Sequence, residues 1–163
     1  MNETNTTVTK LKFKKLNEFA VLPTRAHSAD AGLDLTATDN GTLNHNFTEY
    51  GIGLSVEIPV GYVGLVFPRS SISNQDLLLK NSVAVVDSGF SGEVKLRFYE
   101  APDLDTLGTN YGTVKKKEIR RYKKGEKIGQ LVVLQLPQFE ATWSTGPTTT
   151  SERAAGSFGS TGK

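Results

Sequence analysis

Residues 64–73, GLVFPRSSIS, combine an arginine with hydroxyl side chains directly after a strand-like run. Pro68 ends the run, and Arg69, Ser70 and Ser71 follow it. A guanidinium offers paired N–H donors to phosphate oxygens, and a helix that starts here would add free backbone N–H groups. The segment therefore predicts an anion-binding cradle, although an ordinary capped turn with a surface arginine explains the same residues.

Residues 83–94, VAVVDSGFSGEV, place one carboxylate, Asp87, after a run of small and apolar residues and before a Ser-Gly pair. A carboxylate at the edge of a buried strand can accept a proton from water, as a general base must. Asp-Ser-Gly is also favourable turn chemistry. On its own the segment indicates either a general base or a plain hairpin.

Residues 153–162, RAAGSFGSTG, contain glycines, hydroxyls, a cation and one aromatic ring. Glycine lets a backbone approach a ligand closely, Ser160 and Thr161 can donate to phosphate with Arg153 adding charge, and Phe158 can stack on a base. A flexible linker has a similar composition. The two interpretations stand about even for this segment.

Elements that could position these segments are short. The 163 residues predict one domain, and 16 glycines with 6 prolines cut the apolar segments into pieces typical of strands rather than long helices. We expect an all-β sandwich, barrel or jelly roll, with one short helix after Pro68, in residues 70–79 (SSISNQDLLL). The strand-like runs are residues 10–16, 52–58, 62–67, 82–86, 93–99 and 128–136.

Composition excludes several kinds of chemistry. The chain has no cysteine, which rules out disulfides, thiolate nucleophiles and cysteine-bound metals, and it has two histidines, His27 and His45. No apolar run approaches the roughly 20 residues of a membrane span, and the first residues lack the apolar core of a signal peptide. We expect an intracellular protein that binds neither membrane nor nucleic acid.

Two polar stretches depart from the strand pattern. Residues 101–117 read as an insertion between two strand-like runs. Residues 142–163 are rich in Thr, Ser and Gly and cannot bury enough surface to order themselves, so we expect a flexible arm that orders on binding. The predicted organisation is a β domain over residues 1–141 and a C-terminal arm over residues 142–163.

These segments, with residues 29–37 (ADAGLDLTA) and 125–131 (GEKIGQL), match five motifs in order and spacing. In this the chain resembles the trimeric dUTPase family. The resemblance implies an all-β jelly-roll subunit of the β-clip type, assembled into a homotrimer whose active sites are shared between subunits. It also implies hydrolysis of dUTP to dUMP and pyrophosphate with Mg²⁺, in the cytoplasm, or in that of a host cell if a phage encodes the chain.

The resemblance assigns a role to each matching residue. Asp87 would deprotonate the water that attacks the α-phosphorus. Asp34 would orient Arg69 or a metal-bound water, while Mg²⁺ would be held by the triphosphate and waters with no direct protein ligand. The implied substrate-binding residues are Arg69, Ser70, Ser71, Asn81, Val86, Phe90, Gln130, Arg153, Phe158, Gly159, Ser160 and Thr161.

Some positions differ from the usual pattern of that family. Phe90 stands where tyrosine is common, and Ser71, Ala154 and Ser157 stand where glycine is frequent. The insertion at 101–117 is longer than in typical cellular members and is familiar from phage enzymes, which makes it a candidate docking site for a protein partner.

Two other functions stay open. The related dCTP deaminases need a glutamate ten residues after the hairpin aspartate, where this chain has Arg97. A regulatory protein whose nucleotide binding controls docking through the insertion is the second alternative.

Overall fold

The computed structural model of the protein describes residues 10–75, 77–100 and 121–146. Nearly all of the regular structure in these ranges consists of short strands, with one five-residue 3₁₀-helix, Ser70–Asn74. The strands are β1 Lys12–Lys15, β2 Leu33–Thr36, β3 Thr42–Leu43, β4 Thr48–Gly51, β5 Leu54–Glu57, β6 Tyr62–Phe67, β7 Leu77–Leu79, β8 Ala84–Val86, β9 Lys95–Glu100 and β10 Lys127–Gln135.

Two four-stranded antiparallel sheets form the body, in the orders β2-β10-β6-β8 and β3-β4-β9-β7, and β1 pairs with β5 beside them. One apolar core draws side chains from both sheets. Tyr50 lies at its centre and meets the rings of Phe98 and Tyr122 edge-on, with centroids 5.9 Å away in each case. The all-β jelly roll expected from the sequence is confirmed.

Each of the six strand-like runs overlaps one strand, whereas β2, β3, β4 and β7 lie outside those runs. The helix expected after Pro68 is wrong in length and type. Only a 3₁₀ turn forms, Arg69 at its start is extended, and no side chain caps it. The leucines assigned to that helix form β7, because Leu77 and Leu79 bury their side chains in the core while Leu78 faces outward.

Tight turns flank β8, the strand that carries the chain to Asp87. Ser82 adopts a positive φ of 59°, and this bend takes the chain from β7 in one sheet to β8 in the other. After β8, the backbone N–H of Phe90 donates to the carbonyl of Asp87 at 3.0 Å, which closes the turn expected at Asp-Ser-Gly.

The insertion at 101–117 and nearly all of the predicted arm lie outside the described residues, so the arm, the domain boundary and the docking role remain predictions. In residues 10–75, 77–100 and 121–146, no helix has the length and apolar character needed to cross a membrane.

Glu49 on β4 is held between two cations of β9. Its carboxylate accepts from Lys95 Nζ at 2.9 Å and from Arg97 Nε at 2.8 Å. These hydrogen bonds, that from Lys95 first, hold the pKa of Glu49 below its ordinary value of 4.5. A carboxyl with a lowered folded-state pKa stabilises the fold above 4.5 and loses that contribution as the pH falls below it.

We expect Glu49→Gln to lower the free energy of unfolding at pH 7 by up to about 1 kcal/mol, the usual limit for a solvent-accessible ion pair. At pH 3 the gap between the variant and the wild type should shrink, because the stabilisation from ionised Glu49 declines as the pH falls below 4.5. Urea unfolding at the two pH values measures the difference in the free energy of unfolding between the two proteins. An equal gap at both would show that the ion pair contributes nothing.

Candidate active site

Three distant segments meet on one rung of the sheet β2-β10-β6. Gln130 of β10 lies opposite Asp34 of β2 on one side and opposite Phe67 of β6 on the other. Residues paired across antiparallel strands project to the same face. Because Arg69 follows Phe67 by two residues, this register brings Asp34, Arg69 and Gln130 together from segments that span about 100 positions of sequence.

Asp34 anchors this group. Its Oδ1 accepts from Arg69 Nε at 2.9 Å, its Oδ2 accepts from Lys127 Nζ at 2.7 Å, and the side chain is only 13% exposed. The group borders a cavity of about 260 Å³, which we call the arginine cavity. Its lining consists of Ala26, Asp30, Ala31, Gly32, Asp34, Arg69, Ser70 and Gln130.

Gln130 is fixed from two sides. Its Nε2 donates to the carbonyl of Pro68 at 3.1 Å, which links β10 to the segment that carries Arg69. Its amide also covers Gly32, where an added Cβ would overlap Oε1 of Gln130. The amide of Gln130 can take this position only because Gly32 has no side chain, since any larger residue would displace it.

A second cavity, about 440 Å³ in volume, lies beside β8, and we call it the hairpin cavity. Phe90 borders it, with its ring packed against Gly92 and nearly half of its side chain exposed. Ser71 borders neither cavity and lies half-buried in the 3₁₀ turn. The lining of the hairpin cavity consists of Lys80, Asn81, Ala84, Val85, Val86, Phe90, Glu93, Val94, Lys95 and Arg97.

Within one subunit, Asp87 lies far from Arg69. Val86 pairs with Gly64, and the antiparallel direction of β8 carries Asp87 away from Phe67, the β6 residue that precedes the arginine segment. Asp87 is level with the residue before Gly64, four positions from Phe67, so about 13 Å of strand separates it from the rung of Gln130. The two cavities share no lining residue.

The remaining predicted site residues are Arg153, Phe158, Gly159, Ser160 and Thr161, and they lie outside the described residues. Within residues 10–75, 77–100 and 121–146, no three His, Cys, Asp or Glu side chains are grouped so as to hold a metal ion. The carboxylates of the arginine cavity are Asp34 and Asp30, and Asp30 accepts from the backbone N–H of His27 at 2.8 Å.

Among the residues that shape this site, sequence reasoning missed Gly32, which lines the arginine cavity, and Lys127, which contacts Asp34. Lys127 lies inside the segment GEKIGQL, but simple alternation from Gln130 places it on the opposite face of the strand. Gly32 lies inside ADAGLDLTA, where nothing local marks which glycine faces a glutamine.

Comparison with known proteins gives one consistent result. A family model described as dUTPase matches residues 18–106. The deoxyuridine 5'-triphosphate nucleotidohydrolase of Rhodococcus erythropolis is 35% identical over 156 residues, which are 93% of this chain and 85% of that protein. The enzyme of the same name from Gloeobacter violaceus is 33% identical and covers 94% of this chain and 97% of its own length.

Solved structures agree with the sequence matches. A mutant dUTPase of Staphylococcus bacteriophage 80alpha, solved with dUpNHpp, superposes with a TM-score of 0.76 at 29% identity, covering 96% of this chain and 100% of that one. A second mutant of the same phage enzyme, also with dUpNHpp, gives the same values. Fold, site and relatives define a class, the all-β nucleotide hydrolases. The chain belongs to the dUTPase family, the dUTP diphosphatases.

We expect Gly32→Ala to lower kcat/KM for dUTP roughly 10- to 100-fold, because the new methyl group displaces Gln130 and small misplacements of binding groups are costly. In a Gln130→Ala background the same substitution should cost almost nothing, because the clashing amide is gone. Steady-state assays of the four proteins measure this. Equal costs in both backgrounds would mean that Gly32 acts some other way.

Proposed function

We propose that this protein hydrolyses dUTP to dUMP and pyrophosphate in a homotrimer whose active sites are each completed by two or more subunits. The observation that carries the proposal is the register of β8 on β6. It carries Asp87 about 13 Å of strand away from the rung of Gln130 and Phe67, on the side opposite to Arg69, and the hairpin and arginine cavities share no lining residue. The hairpin cavity of one copy must then face the arginine cavity of another.

Exposed apolar side chains support an assembly of this kind. Val60, in the turn before β6, and Val85, on β8, are 89% and 63% exposed, and Phe139 and Trp143 after β10 are 89% and 99% exposed. Large apolar side chains that are this exposed in one subunit are candidates for burial against another. A second and third copy of the chain are the occupants that the proposal requires.

The arginine cavity supplies the groups for a triphosphate. Asp34 occupies the Nε edge of Arg69, so the terminal N–H groups of that guanidinium are the ones that would meet phosphate oxygens. Ser70 and Gln130 line the same cavity and offer a hydroxyl and an amide as further polar groups. The group therefore binds and orients an anion at fixed positions on a sheet, which limits the motion of the phosphate chain.

The donors of this cavity fit a Mg²⁺ ion that the substrate itself would hold. Mg²⁺ usually keeps several waters and binds through phosphates with one or two carboxylates, and Asp30 and Asp34 are the carboxylates present here. Asp34, which already accepts from two cations, would contact the ion only through water. When bound, the ion neutralises negative charge on the phosphate oxygens.

Asp87 is the proposed general base. Asp87 is exposed and directly follows β8, at the turn closed by the Phe90 N–H. Its carboxylate could therefore face a ligand bound to a neighbouring copy. A water held by Asp87 would attack the α-phosphorus in line with the departing pyrophosphate. The proton of that water would pass to the carboxylate as the bond from the α-phosphorus to the bridging oxygen breaks. The Arg69 guanidinium would stabilise the negative charge on the departing pyrophosphate.

The hairpin cavity would hold the nucleoside. The Phe90 ring offers an apolar face to the deoxyribose, and a ribose 2'-hydroxyl would be left against it without a partner. Beside it, the backbone between Asn81 and Val86 would read the uracil edge, so cytosine, with donor and acceptor exchanged, would leave buried groups unpaired. The residues expected to close over the nucleotide, Arg153, Phe158, Gly159, Ser160 and Thr161, keep that role as a proposal.

The deaminase alternative is disfavoured by the ion pair at the same cavity. Arg97 lines the hairpin cavity where a deaminase would carry its proton-transferring glutamate. The carboxylate that lines the cavity, Glu93, accepts from the backbone N–H of Gly53 at 2.8 Å. Glu49, which pairs with Arg97, has its pKa lowered by hydrogen bonds to Lys95 and Arg97, so it is poorly suited to donate a proton near neutral pH.

The assay that tests the function compares pyrophosphate release from dUTP, dCTP, dTTP and UTP. We expect dUTP to be hydrolysed far faster than the others. We further expect Asp87→Asn to lower kcat by about 10²- to 10⁴-fold, the usual worth of a positioned general base, while the Kd for dUpNHpp changes little.

Glu57→Gln provides the matched control, because it makes the same carboxylate-to-amide change at an exposed pair with Lys12. It should keep the wild-type kcat. Near-normal turnover by Asp87→Asn would remove the assigned base, and release of ammonia from dCTP by the wild type would replace the proposed reaction with deamination.

A further inference from the structure

Lys127 contacts the carboxylate that holds Arg69. Lys127 Nζ lies 2.7 Å from Asp34 Oδ2, and Arg69 Nε lies 2.9 Å from Asp34 Oδ1, so each carboxylate oxygen has its own cation. The Asp34 side chain is mostly buried, while that of Lys127 is 46% exposed. Asp34 is therefore a bridge between two cations and not the partner of Arg69 alone.

A β-bulge is what brings Lys127 to this face. Lys127 pairs with Thr36 and Gly129 pairs with Leu35, which leaves Ile128 as an extra residue in β10. In a regular strand Lys127 would share a face with Gly129 and point into the core. The bulge places it on the face of Gln130 instead, and Ile128 takes the core position with no exposed surface.

Gly129 permits this local geometry. A Cβ there would lie 2.5 Å from Leu96 Cδ2 and 3.1 Å from the carbonyl oxygen of Phe67. The absence of a side chain lets the bulged part of β10 pack closely on β6, immediately before the segment that carries Arg69. Bulges are frequent beside active sites, where they redirect a side chain.

We propose that Lys127 is a positioning residue for triphosphate binding, acting through Asp34. The inference deepens the proposed function and rests on it. With Arg69 alone, Asp34 would form a neutral pair, free to turn its second oxygen toward the cavity and repel phosphate. Lys127 fixes that oxygen, keeps the carboxylate aimed at Arg69 and gives the three-residue group a net positive charge.

Another cross-strand ion pair shows what an ordinary one looks like here. Lys12 and Glu57 face each other at 3.4 Å on the regular ladder between β1 and β5, with both side chains more than 60% exposed. Such pairs contribute little to stability. Lys127 differs in its shorter contact, in its mostly buried partner, and in the bulge that redirects it.

The test compares Lys127→Met with Lys127→Arg and with Lys12→Met as the matched control. We expect Lys127→Met to raise the KM for dUTP and the Kd for dUpNHpp and for inorganic tripolyphosphate about tenfold, as is typical when the partner of a binding group is removed. Binding of deoxyuridine should not change. Lys127→Arg should recover most of the loss, and Lys12→Met should match the wild type in every assay.

A double-mutant cycle with Asp34→Asn separates positioning from direct contact. If Lys127 acts through Asp34, Lys127→Met should add less than about threefold to the tripolyphosphate Kd in the Asp34→Asn background. A full tenfold loss in that background, or no loss in the single variant, would overturn the inference. Failure of the wild type to hydrolyse dUTP would instead contradict the proposed function, which makes the two failures distinguishable.

Discussion

The site depends on a single carboxylate placed between two cations. Asp34 is mostly buried, and an unpaired charge in such a position is unfavourable, so its contacts with Arg69 and Lys127 fix all three side chains at once. The register of β2, β10 and β6 supplies the positions, and the bulge at Ile128 supplies the second cation. Because this group stands on paired strands, its geometry is as rigid as the sheet.

The sheet β2-β10-β6-β8 also keeps Asp87 and Arg69 of one subunit apart. β8 runs antiparallel to β6, so the chain reaches Asp87 while moving away from the arginine segment. One subunit therefore carries the arginine cavity towards one end of the sheet and the hairpin cavity with Phe90 towards the other. In the proposed function, assembly is therefore part of catalysis, because the two cavities would act on one nucleotide only when different copies bring them together.

Much of this fold could be predicted from the sequence, and the failures have physical causes. The runs that became β6 and β10 are long and rich in branched residues, and Asp-Ser-Gly is a turn by its own chemistry. The strands β3 and β7 have two and three residues, too few for alternation to show. Tertiary packing drew Leu77 and Leu79 into the second sheet, which a local helix pattern cannot reveal.

The site residues likewise include some that the sequence could predict and some that it could not. Arg69 and Asp87 were recognisable by residue type, but no local pattern could show that Asp34 and Gln130 would share a rung with Phe67. The five motifs indicated only that Asp34, Arg69 and Gln130 belong to one site. Lys127 was missed because alternation along β10 puts it on the wrong face. A bulge depends on how Gly129 and Ile128 pack against β6 and the core, which is information from the whole fold.

Subunit complementation tests the shared site most directly. Asp87→Asn and Arg69→Met proteins, each inactive alone, are unfolded together in equal amounts, refolded and assayed with dUTP. If each site takes Asp87 from one subunit and Arg69 from its neighbour, random cyclic assembly makes about one site in four intact, and about a quarter of wild-type activity returns. If no activity returns from demonstrably mixed trimers, both residues act within one subunit and the account is contradicted.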